Sequence, residues 1–303
     1  MPVERDPYVC WLSNARVPLF KGAGTVWRLH QGRYLLQASL KPEPIHLSLQ
    51  NERDLLRSSG ALFVRYFTTT FDAPTQFWYT ECAKYDPDTL DKDTRRQIRQ
   101  GRERCEIRQV TPEWLATNGY PCYLSAFARY RGGQPEPYEM FRRDCFEAAA
   151  GPFEYWGAFV AGRLVSFIKC VVGDDYAICS ELKVDPEFLT SRPAYALNDR
   201  ILTRYVKEQG KRLHEGFRPV SHQTNVHDFF LRFGYRKIFC DMRIHYRLAM
   251  AALVNLLYPL RNIIERSADL AVARNASVLL KQEEIRRSFV RPARTPRQQP
   301  SNS

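Results

Sequence analysis

Two side chains near the middle of this chain are of types that move protons, and a basic turn between them is of a type that holds anions. Glu181 stands late in the apolar run Ala177-Ile178-Cys179-Ser180-Glu181-Leu182-Lys183-Val184. Strand alternation sends every second residue of such a run to one face, so Glu181 can reach a cleft as a general base. An ion pair with Lys183 at a strand edge is its other reading. His222 is the rival base, in Ser221-His222-Gln223-Thr224-Asn225, because an imidazole titrates near neutrality and shuttles protons. Its other reading, and that of Thr224 and Asn225, is a loop or cap contact. Between the two bases lies Ser191-Arg192-Pro193, followed by Ala194-Tyr195-Ala196-Leu197-Asn198. Ser191 is placed to cap a helix and Pro193 to set its first turn. Amides at that helix start, with the Arg192 guanidinium, would face a phosphate. An ordinary capped helix is the alternative. A base beside an anion-holding turn suits transfer of a group from a phosphorylated carrier to a nucleophile that must lose a proton.

The elements that must position these residues are legible around them. Residues 154–160 and 164–172 read as a hairpin across Ala161-Gly162-Arg163, and 176–184 joins them across Gly173-Asp174-Asp175. A helix over 194–202, a strand and a helix follow. The last helix turns Val226, Phe229, Phe230 and Phe233 inward and ends in Phe233-Gly234-Tyr235. A meander followed by strand-helix-strand-helix implies a mixed sheet with helices on its faces and a cleft at strand ends. Upstream, strands are expected at 25–29, 34–38, 62–68, 76–83 and 105–110, with a short helix over 51–59 capped by Asn51. A helix over 88–100 is expected to end at Gly101. Thr111-Pro112 opens helices that fill 112–149, interrupted near Arg131-Gly132-Gly133.

Strand, basic turn, helix, strand and helix, in the order found from Glu181 to Tyr235, resemble the core of the GNAT superfamily of N-acetyltransferases. The segment Leu90-Asp91-Lys92-Asp93-Thr94-Arg95-Arg96-Gln97-Ile98-Arg99 is similar to one in the FemAB-like branch, whose members pass acyl or aminoacyl groups to amines on cell-wall precursors. The resemblance covers residues 63–246. It implies an α/β chain (an α+β mixed sheet) of GNAT-like acyl-CoA N-acyltransferase fold with a C-terminal helical extension. It also implies direct transfer within a ternary complex. The donor would be acetyl-CoA or another acyl-CoA, with aminoacyl-tRNA as the alternative, and no metal. The acceptor would be an amine of a small molecule, polysaccharide or cell-wall precursor. Glu181 or His222 would be the catalytic base, and Ser191, Arg192, Tyr195, Asn198, Gln223, Thr224 and Asn225 would lie around the carrier. Two departures stand out. The family's carrier loop is Gln or Arg, two residues, Gly, one residue, then Gly or Ala; Arg192-Pro193-Ala194-Tyr195-Ala196 has no glycine to let backbone approach pyrophosphate. The family's leaving-group acid, a Tyr, falls on Phe230, which has no hydroxyl, and its Asn on Gln223. Both departures favour the alternative of a non-catalytic GNAT-like ligand-binding or membrane-associated assembly protein.

Composition sets the outer limits. The 303 residues are 44% hydrophobic and 26% charged, ordinary for a folded chain with a core. A formal net charge of +12 favours anionic partners. Lys92, Arg95, Arg96 and Arg99 recur at i, i+3, i+4 and i+7 on one helix side. They read as a solvated face, or as a phosphate-binding face for a nucleotide, a tRNA end or a lipid diphosphate. Eight cysteines, none in a C-x-x-C pair, lack zinc-site spacing and read as reduced thiols, Cys170 and Cys179 in the core. No signal-like run follows Met1, so a cytoplasmic location is expected, peripheral at the inner membrane face. Residues 248–264 are apolar but contain Asn255, Pro259 and Arg261, too interrupted for a membrane span. With the helical spacing of 268–287 they read as a hairpin packed on the domain or a partner, or as an interfacial helix on an anionic membrane. Four segments result: a β-rich extension or partial GNAT-like half at 1–62, the acyltransferase domain at 63–246, helices at 247–287, and a disordered basic tail at 288–303.

Overall fold

The computed structural model describes residues 5–129, 134–220, 226–266 and 271–290. Helix α1 (Pro7–Asn14) precedes a meander of β1 (Leu19–Gly22), β2 (Thr25–His30) and β3 (Tyr34–Gln37); α2 (Leu49–Ser59) then leads to β4 (Phe63–Tyr66). Next come β5 (Thr70–Phe71), β6 (Phe77–Cys82), α3 (Lys92–Arg104) and β7 (Glu106–Val110). Helices α4 (Pro112–Asn118), α5 (Tyr120–Ala126) and α6 (Tyr138–Ala148) precede β8 (Phe153–Val160), β9 (Arg163–Val172) and β10 (Tyr176–Val184). The chain continues through α7 (Pro193–Ile201), β11 (Arg212–Phe217), α8 (Val226–Leu231), β12 (Arg236–Cys240) and β13 (Arg243–Tyr246). It ends with α9 (Leu248–Leu257), α10 (Arg261–Arg266) and α11 (Ala271–Val290).

The strands form two mixed sheets. The larger has eight strands in the order β5-β12-β6-β11-β10-β9-β8-β7, and the smaller has five in the order β1-β2-β3-β4-β13. Only β10–β11 and β3–β4 pair in parallel among the described residues. Alternation along the central strands serves two cores. On one face Trp156, Val165, Ile168 and Cys170 meet Leu197, Ile201 and Leu202 of the α7 region; on the other, Tyr155, Leu164 and Phe167 meet Leu115, Phe141 and Cys145 of α4 and α6. Buried Tyr205 ties the first core together, accepting from Trp156 Nε1 at 3.0 Å and donating to Glu154 Oε2 at 2.7 Å.

Asp241, in the turn between β12 and β13, joins the sheets. Its buried carboxylate accepts from the Thr68 amide (2.7 Å), the Thr69 amide (3.0 Å), the Thr68 hydroxyl (2.8 Å) and Arg243 Nε (2.7 Å). Burial would raise its pKa, but the Thr68, Thr69 and Arg243 hydrogen bonds outweigh burial and hold it below the usual carboxylate range. Thus the crossing from β4 to β5 and the crossing from β12 to β13 are pinned to each other. The expected boundary at 62 passes through the smaller sheet, because β4 and β13 complete the sheet begun by β1–β3, whereas 246 is the last residue of β13.

Several local expectations change. Ser48, not Asn51, caps α2; Asn51 is the third helical residue and returns the bond to the Ser48 amide. The third helix does not stop at Gly101 but runs to Arg104. Gly101 is a packing residue: a Cβ there would sit 2.7 Å from the Arg192 carbonyl oxygen and 3.0 Å from Ala196 Cβ. The expected interruption at Arg131-Gly132-Gly133 lies outside the described residues, and of the expected tail 288–303, residues 288–290 belong to α11 while 291–303 lie outside. Gly101→Ala should therefore force α3 and α7 apart and cost about 1–3 kcal/mol of stability, read as a lower urea midpoint at unchanged slope. An unchanged midpoint would show that the two helices are not in close contact.

Candidate active-site cleft

The parallel ladder between β10 and β11 covers only Tyr176↔Arg212, Ala177↔Leu213 and Ile178↔His214. Beyond it, each strand carries an irregularity against its outer neighbour, at Cys179/Glu181 in the β10–β9 ladder and at His214/Gly216 in the β11–β6 ladder. A bulge bends its strand, and Gly216, at φ +111°, accepts a backbone conformation that side-chain-bearing residues avoid. The strands part, and a cleft of about 580 Å³ opens between them.

Its polar lining includes Lys169, Ser180, Glu181, Lys183, Glu215 and His227. Glu181 faces Lys169 across the β10–β9 register, and Lys183 Nζ lies 3.4 Å from Glu181 Oε1. The Glu181 side chain is 30% exposed, so it meets solvent in the cleft, whereas Lys183 is buried, with its ammonium 4.4 Å from the Phe127 ring centre. Opposite them, His227 Nδ1 lies 2.6 Å from Glu215 Oε2. That contact is outside good hydrogen-bond alignment, so it acts as a charge contact once the ring is protonated. The Trp78 ring meets the His227 ring edge-on at 4.6 Å. Phe217 and Phe230 supply apolar wall. This arrangement joins a solvent-reaching carboxylate, one buried and one half-buried cation and an imidazole–carboxylate pair around one space. It can deprotonate a bound nucleophile and balance negative charge formed nearby.

The turn after β10 follows Pro186–Ser191 as a 3-10 turn, anchored by buried Asp185, which accepts from Ser125 Oγ (2.8 Å) and Arg163 Nη2 (2.7 Å). Ser191 does not cap α7; Arg192 holds that position at φ +59°, with no side-chain cap bond. The amide of Arg192 bonds to Leu189 O, those of Tyr195 and Ala196 bond to Arg192 O, and Pro193 has none. These three donors are engaged within the turn itself. Tyr195 packs on Phe229 and Phe233. Asn198 is fully buried beside Tyr235, whose hydroxyl donates to Asn198 Oδ1 at 3.4 Å, so it faces the core rather than a carrier. Glu181 is thus the sequence-derived residue that reaches the cleft. His222, Gln223, Thr224 and Asn225 lie outside the described residues. Phe230 is buried in the wall.

A second concavity, of about 740 Å³, follows α3 and is lined by Lys92, Arg95, Arg96, Arg99 and Arg102 with Asp88 and Asp93. Asp93 pairs with Arg96 and Asp199 with Arg102. Lys92, Arg95 and Arg99 are exposed along it. Among the described residues, no group of His, Cys, Asp or Glu has the arrangement to hold a metal.

No protein-family model matches the sequence, and no curated protein matches it. Solved structures do match in shape. The C-terminal domain, DUF2156, of an Agrobacterium fabrum protein provisionally designated lysylphosphatidylglycerol synthetase is 12% identical; the match covers 84% of this chain and 92% of that one, at a TM-score of 0.52. FemX is 9% identical, with 77% and 86% covered and a TM-score of 0.52. The fold is the GNAT-like mixed α/β one. Such identities speak to fold alone, and in this GNAT-like frame the parting of β10 from β11 is the place where a cleft forms.

Sequence reading missed Lys169, Glu215 and His227. The usable signal was His214-Glu215-Gly216, a glycine closing a charged strand end just past the last parallel pair, Ile178↔His214. His214 itself is buried. Burial, then the charges of Arg212 and Lys41, push its pKa down to about 4. The folded state thus refuses a proton that the unfolded chain takes up near 6.5. The stability of the neutral form is complete above pH 6.5 and is lost as pH falls toward 4, by roughly 2–4 kcal/mol. Urea unfolding of wild type and His214→Gln at stepped pH checks this: the variant should lose the slope between pH 6.5 and 4, and an equal slope in both would refute it.

Proposed function

We propose that the protein is an acyltransferase that passes an acyl or aminoacyl group from a polyanionic carrier to a nucleophile held between β10 and β11. The observation that carries this reading is the parting of those strands on a GNAT-like frame, with Glu181 exposed in the gap. In the proposed step the acceptor nitrogen attacks the carbonyl carbon of the donor ester or thioester. Glu181 takes the nitrogen's proton, the carbon–oxygen or carbon–sulfur bond breaks, and the leaving group departs with a proton from solvent or from a protonated cleft group. His227, held by Glu215, is the second proton carrier, and His222 of the sequence reading is a third candidate.

The basic groove of α3 suits a carrier with many phosphates. Its cations are exposed, whereas the Arg192, Tyr195 and Ala196 amides at the start of α7 are engaged within their own turn. That weighs toward a long anion such as aminoacyl-tRNA over a pyrophosphate seated on backbone amides, as in acyl-CoA. The amine acceptor expected from the sequence stays in the proposal. A lipid headgroup joins it, because one structural neighbour carries the designation lysylphosphatidylglycerol synthetase. Buried Phe230 and the engaged amides favour a second reading, a GNAT-like binding protein without catalysis.

Donor binding separates the two. Acetyl-CoA, longer acyl-CoAs and free CoA are tested by thermal unfolding, since a ligand of the native state raises the midpoint by mass action; aminoacyl-tRNA is tested by filter binding across a salt series. One donor class should bind, and Arg95→Ala/Arg99→Ala should weaken that binding about tenfold or more and flatten its salt dependence. With that donor, Glu181→Gln should slow transfer about a hundredfold or more at unchanged donor affinity, with His227→Gln and His222→Gln compared beside it. A folded protein that binds no donor, or a Glu181→Gln/His227→Gln/His222→Gln protein that transfers at the wild-type rate, would overturn the reading.

A further inference from the structure

Helices α9 and α10, with the 3-10 turn Tyr258–Leu260 between them, form a nearly continuous rod over Leu248–Arg266, only 6% of which is buried. Its inner face is apolar, as expected: Val254 is buried, and the adjoining α11 sends Leu279 and Ile285 into the core around Phe63, Phe77 and Met242. The outer face is apolar too. Leu248 is 91% exposed and Leu256 72%, and Leu253, Leu260 and Ile263 lie on the same side. At 100° per residue these five side chains fall within less than half a turn. A surface helix of a soluble domain puts polar residues there, and an exposed row of this length marks a contact surface.

Charge decides what covers the row. Two guanidinium groups clasp Tyr258 beside it, Arg261 at 4.5 Å and Arg287 at 3.9 Å from the ring centre. From residue 261 to 303 the sequence has nine Lys and Arg against four Asp and Glu, and Arg291, Arg294 and Arg297 occur in a stretch with no acidic residue. Two copies meeting through this face would bring like charges together. Lipid phosphates would neutralise them. The inner face is held by the protein body, and Pro259 and Arg261 interrupt the row, so the rod suits lying in a headgroup layer rather than crossing a bilayer.

We infer that the outer face of α9 and α10 is a docking surface for an anionic lipid bilayer, seated by its leucines and held by the arginines around Tyr258. This inference is independent of the acyl-transfer reading, because binding to vesicles needs neither donor nor acceptor.

Vesicle flotation of the full chain tests it, with phosphatidylcholine alone and phosphatidylcholine mixed with phosphatidylglycerol. The chain should float with the mixed vesicles, bind the neutral ones at least about tenfold more weakly, and lose affinity as salt screens the arginines. Leu253→Gln/Leu256→Gln/Leu260→Gln should reduce binding to the mixed vesicles about a hundredfold, with thermal midpoint and elution volume unchanged, since these side chains are exposed. No flotation of wild type, or equal flotation of the variant, would overturn the inference. So would a wild-type dimer that becomes monomeric in the variant and floats with neither vesicle, because the face would then be covered by a second copy.

Discussion

A parallel pair of strands is held by evenly spaced hydrogen bonds, and β10 and β11 share them over three residues only. Everything about the cleft follows from that short ladder. Had it continued, Glu181 and Glu215 would lie on adjacent paired strands with no space between them. Because each strand bends toward its outer neighbour at a bulge, backbone groups that would have paired across the gap are left facing a space. The walls remain rigid even so: β9 and β8 brace β10, and β6 and β12 brace β11. A gap between two braced strands is preorganised, so the polar side chains in it stand on rigid walls.

The second constraint is the contact between α3 and α7. Gly101 allows the α3 backbone to approach the Arg192 carbonyl, and Arg102 bridges to Asp199 of α7 through a pair of hydrogen bonds at 2.8 Å. Buried Tyr85 donates to the same carboxylate at 2.7 Å. An otherwise costly buried charge is thereby satisfied, and the basic face of α3 is fixed in place relative to the turn after β10. The exposed cations of α3 and the cleft side chains therefore belong to neighbouring but separate elements: Lys92, Arg95 and Arg99 sit on one helix, Glu181 and Glu215 on strands and His227 on α8.

Much of this was legible in the chain. The hairpin of β8 and β9, the meander into β10 and the basic helix announce themselves through period-two and period-four patterns, and Thr111-Pro112 begins α4 as its cap chemistry requires. Gly101 misled because a glycine near a helix end usually terminates it; here its value is the missing Cβ, and only the tertiary partner reveals that. Ser191 misled for a related reason. Its hydroxyl is of the right type to cap, but the turn places Arg192 at the cap position instead. His227 was hidden because a histidine amid Val226, Asp228 and Phe229 carries no local signal; its meaning comes from Glu215, on a strand that only the sheet order brings alongside.

The staple at Asp241 also bears on how the chain is made. A ribosome delivers β1 to β4 first, yet the strand that closes their sheet, β13, comes from beyond the whole larger sheet. Until then the outer edge of β4, with Phe63 and Val64 beside it, has no neighbour, and open edges of this kind recruit strands from other chains. The nascent N-terminal sheet thus spends most of synthesis incomplete. Arrival of Asp241 and β13 joins the two sheets late, which makes this protein a poor candidate for dissection into separately folding parts.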